Sequence, residues 1–248
     1  MKLDILAFGV HPDDVELSCA GVLLVEQKNG KKTGIIDLTA GELGTRGSGE
    51  IRKVEAANAA KILGVNVREN LEMADGFLQN DEVHQRKIIA ALRTYQPEII
   101  FCNAPEDRHP DHGKSSKLVA DAAFLSGLMK IQTEQNGLSQ PAWRPKYVFR
   151  YIQDRFLKPD FVVDITDMFD QKVEAIKAYK TQFDLQDPAD NPEQDEPQTY
   201  ISTPDFLESV IYRHKWFGKM IGVKYAEGFI SEKMIGIKNF DAIIKKDT

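Results

Sequence analysis

Cysteine is scarce in this 248-residue chain: there are two, Cys19 and Cys102, far apart in sequence. Their separation excludes a disulfide framework, suits a reducing compartment, and leaves both thiols best read as small buried hydrophobes. Long apolar runs are missing too. None approaches the length that spans a bilayer, and the N-terminal stretch lacks an apolar core followed by a small-residue cleavage site. A cytoplasmic protein without a membrane partner is expected. Basic residues are outnumbered, 32 Lys and Arg against 38 Asp and Glu, for a formal net charge of -6. No basic stripe offers itself to a phosphate backbone, so nucleic acid is not an expected partner. No Gly-x-Gly-x-x-Gly follows the first apolar run, which argues against a dinucleotide site.

What is present is an ordinary globular composition, 42% hydrophobic and 28% charged, with enough apolar material for a sizeable core. One domain over residues 1–248 is expected. Apolar runs at 3–10, 33–39, 67–73 and 98–103 predict four strands. Helical patterns over 13–27, over 50–63 with Gly64 as terminator, and from the cap Asp81 to Tyr95 lie between them. Strands joined by helices of this length make right-handed crossovers and a parallel sheet covered on both faces, an α/β fold. The second half is less regular. A helix over 113–128, strands over 147–152 and 161–165, a helix from Thr166 or Asp167 to Phe183 and a helix over 205–221 are predicted. The acidic, Pro-rich stretch 184–204 reads as a loop or lid.

The chemistry is concentrated in two related phrases, His11-Pro12-Asp13-Asp14 and His109-Pro110-Asp111-His112, which follow the first and fourth predicted strands. In an open parallel sheet, ligands bind outside the carboxyl ends of the strands. Imidazole and carboxylate are zinc ligands, and a catalytic zinc takes three protein ligands and leaves a position for water. His11 and Asp14 can converge on one ion across a turn stiffened by Pro12. Asp13 must then point elsewhere, where it can act as general base toward a water. The second phrase offers His109 and His112, one for the metal and one to stabilise an oxyanion or protonate a leaving amine, with Asp111 able to orient an imidazole. Spacing alone leaves that choice open. Asp beside Pro at a strand-to-helix junction is also ordinary helix-start chemistry. Three of the five histidines falling at two strand ends favours a site over a cap.

These two phrases, with the loop from Thr39 to Gly47 (TAGELGTRG), the segment from Asp107 to His112 (DRHPDH) and the run from Tyr225 to Phe229 (YAEGF), resemble the LmbE-like (PIG-L) family of zinc-dependent de-N-acetylases. The likeness is strongest to its bacillithiol-pathway members, which deacetylate N-acetylglucosaminyl-malate; other members act on chitin fragments. The resemblance implies a Rossmann-like three-layer sandwich, one Zn2+ on His11, Asp14 and His112, Asp13 as base, and His109 at the oxyanion. It implies an amino-sugar substrate and a homo-oligomer, with hexamers among close relatives. Other divalent metals suit the same donor set. Arg52, Arg46 and Arg108 are candidates to pair with the carboxylates of a malate aglycone, and Glu42 to contact a sugar hydroxyl. Some relatives place a Tyr beside the oxyanion where this chain has Phe206; Tyr200 is the candidate substitute. A metal-dependent phosphoesterase and a non-catalytic sugar-binding module are the competing functions.

Overall fold

The computed structural model describes residues 1–183 and 197–242. Its frame is built in the expected order. Strand β1 (Ile5–Gly9) leads to helices α1 (Asp14–Ser18) and α2 (Ala20–Lys28), then β2 (Thr33–Thr39), α3 (Gly49–Leu63), β3 (Val67–Met73), α4 (Glu82–Tyr95) and β4 (Ile99–Cys102). Helix α5 (Pro110–Leu125), a hairpin of β5 (Glu134–Gln135) and β6 (Leu138–Ser139), β7 (Tyr147–Tyr151), β8 (Phe161–Asp164), α6 (Phe169–Lys177), α7 (Pro204–Ile221) and β9 (Ala226–Ser231) follow. Caps explain the boundaries of the first half. The Ser48 hydroxyl and the Asp81 carboxylate accept from the N–H groups of Ile51 and His84, and Gly64 closes α3 in the left-handed region at φ 66°.

The seven-stranded sheet runs β3-β2-β1-β4-β7-β9-β8. Its first five strands pair in parallel, and β9 pairs antiparallel with both β7 and β8. Alternation along β1 divides the core: Leu6 and Phe8 join the cluster built on α4 and α5, while Ile5 and Ala7 join the one built on α1, α2 and α6. Helices therefore cover both faces, giving the three-layer α/β sandwich. Between β1 and β4 the strand order reverses, and a crevice opens at their carboxyl ends. Among the described residues no helix is long and apolar enough to cross a membrane.

Several elements depart from expectation; the helix expected to reach Phe183, for one, ends at Lys177. The helix expected over 13–27 breaks at Cys19, where φ is -139°. The buried Glu227 carboxylate accepts from the N–H groups of Gly21 (2.9 Å) and Val22 (2.7 Å), so the chain starts a second helix on a distant cap. Lys172 Nζ, itself wholly buried, lies 2.7 Å from the same carboxylate. The helix expected from residue 113 begins instead at Pro110, with the His109 ring as its cap; proline at the first turn lacks only an N–H that would be orphaned. The stretch before β7 contains the β5–β6 hairpin, turned by Asn136 and Gly137, both at positive φ. Of the expected acidic loop, residues 184–196 lie outside the described residues; 197–203 run as coil and turn into α7.

Candidate active site

The turn after β1 is where local sequence and backbone conflict. Asp13 holds φ at 124°, outside the comfortable range of an L-residue, so its neighbours must impose it. Two contacts do so: Arg52 Nη2 lies 2.7 Å from Asp13 Oδ2, and the same guanidinium donates to Pro12 O. Gly41, at φ 65°, leaves the space that this guanidinium fills, because a Cβ there would meet it. Asp13 is thereby turned away from Asp14. Burial raises the Asp13 carboxyl to about 7, with Arg52 pulling it down and Asp14 pushing it up.

Asp14 faces the opposite way. Its carboxylate accepts from His11 N (3.0 Å), Asn103 Nδ2 (2.9 Å) and Gln153 Nε2 (2.6 Å), so the ends of β1, β4 and β7 are tied to one group. Asp14 Oδ1 lies 3.3 Å from His112 Nε2, and Oδ2 lies 3.8 Å from His11 Nδ1. Burial opposes its charge, yet His112 and His11 hold the Asp14 carboxyl well below the usual range. On the far side, His112 Nδ1 lies 2.6 Å from Asp107 Oδ2 and His11 Nε2 lies 2.9 Å from Asp75 Oδ1. Against burial, Asp14 and Asp107 raise His112 to about 10; Asp75 drops to about 2, its burial outweighed by His11 and the Leu43 N–H.

A divalent cation fits these residues. With each ring's outer nitrogen committed to a carboxylate, the inner nitrogens of His11 and His112 face Asp14, so a cation that displaced the ring protons would meet two imidazole nitrogens and one carboxylate. Four buried carboxyl groups, Asp13, Asp14, Asp75 and Asp107, gather around this point. The ligating atoms of His11, His109 and His112 lie within 4.8 Å of one another, as do those of His11, Asp75 and Asp111.

A cavity of about 380 Å³ opens over this cluster and is lined by His11, Asp13, Asp14, His109, His112, Arg46, Arg52 and Arg108, among others. Glu42 and Asp111 do not line it. Glu42 Oε1 accepts from Asp75 N at 2.8 Å. Asp111, expected to orient an imidazole, meets the His109 ring through its backbone. Its N–H lies 3.3 Å from His109 Nδ1, while Oδ1 pairs with Lys114. The arginines divide as well: Arg52 is committed to Asp13, Arg46 Nε donates to Thr181 O, and Arg108 pairs with Asp154 at 3.2 Å. Tyr200 lies at the rim, half exposed, its hydroxyl 3.3 Å from Asp154 Oδ1 and its ring edge-on to Phe206. Sequence reasoning missed Asp75, Asn103, Asp107 and Gln153. Asn103 and Gln153 follow the carboxyl ends of β4 and β7, a position that could have marked them.

With that geometry in hand, known proteins place the chain. The model of a family described as PIG-L, GlcNAc-PI de-N-acetylase, matches residues 6–123. The solved structure of the conserved protein TT1542 from Thermus thermophilus is 34% identical, with a TM-score of 0.81 over 95% of this chain and 98% of that one. The chain belongs to the PIG-L/LmbE-like family. Two curated relatives span most of its length. The diacetylchitobiose deacetylase of Thermococcus kodakarensis is 28% identical over 237 residues, 90% of this chain and 81% of that protein. The probable N-acetyl-alpha-D-glucosaminyl L-malate deacetylase 2 of Bacillus subtilis is 24% identical over 232 residues, 87% and 99% of the two chains.

Proposed function

We propose that this protein is a metal-dependent amidohydrolase that removes acetate from an N-acetylglucosaminyl conjugate, with N-acetylglucosaminyl-L-malate the favoured substrate and diacetylchitobiose the alternative. Deacetylation of N-acetylglucosamine-containing substrates is supported at the level of the family. The observation that carries the reading is the opposite orientation of two adjacent buried carboxylates, Asp14 toward His11 and His112, and Asp13 toward Arg52. Family membership favours this reading over a phosphoesterase or a binding module.

His11, Asp14 and His112 would hold the ion, which we take to be zinc, one per chain. Bound there, it supplies Lewis acidity and lowers the pKa of water. Asp13 takes the proton of the attacking water, and Arg52 keeps that carboxylate aimed and ionised against its burial. His109 is held neutral: burial and the neighbouring His11 and His112 lower it to about 4. Because its Nδ1 accepts from the Asp111 N–H, the ring proton sits on Nε2, where it can donate to the oxyanion of the tetrahedral intermediate. Collapse breaks the C–N bond, Asp13 returns its proton to the leaving amine, and acetate and free amine are released.

The test is to offer N-acetylglucosaminyl-malate and diacetylchitobiose to the zinc-loaded protein and quantify amine and acetate. Equimolar amine and acetate from the malate conjugate is expected. Turnover of chitobiose alone would reassign the substrate, and turnover of neither would overturn the deacetylase reading.

A further inference from the structure

Among the cations lining the cavity, Arg213 on α7 is the one whose charge the protein leaves largely unspent. Its only hydrogen bond among the described residues runs from Nη2 to Leu17 O at 3.1 Å. Three acids act on it through space, Asp154, Asp107 and Glu227, and each has a nearer partner. Asp107 holds His112 Nδ1 at 2.6 Å and accepts from the N–H groups of Asp154 and Arg155. Asp154 pairs with Arg108 at 3.2 Å, and Glu227 with Lys172 at 2.7 Å. Desolvation pulls the Arg213 guanidinium below its ordinary value, as expected of a cation taken from water without a full counter-charge.

Resting on the deacetylase reading, we propose that Arg213 is the specificity-determining anion receptor of the cavity, and that the conjugate accepted there carries a carboxylate on its aglycone. The guanidinium is a rigid fork of donors that matches a carboxylate bidentately, and it is half-buried in the cavity wall. Phe206, seven residues earlier on the same helix, lines the cavity too, with the Tyr200 ring 5.5 Å from it. This wall therefore joins an apolar surface to one uncommitted cation, which suits a short acidic aglycone better than a second neutral sugar. A neutral aglycone would cover Arg213 without replacing its lost water.

The experiment compares N-acetylglucosaminyl-malate with its uncharged malamide, identical in sugar, acetamide and leaving amine, on the zinc-loaded wild type, R213K and R213M. The wild type should favour the acid by about tenfold or more in kcat/KM, expressed mainly in KM, as one charge-assisted contact warrants. In R213M the preference should collapse toward parity, and R213K should restore part of it. Parallel losses on both substrates in R213M would make Arg213 merely structural and overturn the proposal. A wild type indifferent to the charge overturns it as well, without recourse to any variant. Amine from the malamide as readily as from the acid sinks this inference alone, as does amine from diacetylchitobiose with none from either malate compound, whereas amine from none of the three sinks the deacetylase reading with it.

Discussion

Arg52 Nη2 lies 2.7 Å from Asp13 Oδ2, with both side chains buried, so the carboxylate assigned as base is held by a single guanidinium. Asp13 accepts a proton only when ionised, and activity that depends on it rises with pH through its pKa. Removing Arg52 takes away the charge that lowers that pKa. Arg52→Met should therefore shift the rising limb of the kcat/KM profile to higher pH and depress kcat, whereas Arg52→Lys should shift it less. A pH-rate profile whose limb stays in place would show that Arg52 does not act on Asp13.

His112 meets Asp107 on one side and Asp14 on the other, at 2.6 and 3.3 Å. A carboxylate behind a ligating imidazole fixes its tautomer and ring orientation, and its loss costs roughly 10–100-fold in metal affinity. Asp107→Ala should weaken zinc binding by about that factor in a chelator competition. An unchanged affinity would remove His112 from the ligand set.

The buried pair Lys172 and Glu227 joins α6 and β9 to the start of α2. Removing one member of a buried ion pair leaves an uncompensated charge, a cost of about 3–5 kcal/mol. Lys172→Met should lower the stability read by urea denaturation by about that amount. A change below about 1 kcal/mol, the scale of an exposed pair, would mean that the pair is solvated.

Elements whose causes are local could be read from the chain. Ser48, Gly64 and Asp81 bound α3 and α4 through contacts within a few residues, and β2 and β3 carry their own apolar or β-forming pattern. The strand-end positions of His11 and His112 follow from the same logic, since strand order places β1 beside β4. What escaped the sequence has distant causes. The break at Cys19 depends on Glu227, more than two hundred residues away, although the YAEGF run that contains it was visible. The pairing of Arg52 with Asp13, and the Asp75 carboxylate behind His11, exist only once the turn after β1, helix α3 and the segment after β3 meet at the carboxyl ends of the strands. Nothing local in the sequence sets Arg213 apart from the other charges of α7.

The central claim is the division of labour between Asp13 and Asp14, and parallel metal analysis and turnover of Asp13→Asn and Asp14→Asn tests it most directly. Asp13→Asn should keep one metal per chain and lose at least about 100-fold in kcat, the scale of a general base, while Asp14→Asn should lose the metal itself. Asp13→Asn that turns over at the wild-type rate, or Asp14→Asn that keeps its full complement of metal, would contradict it.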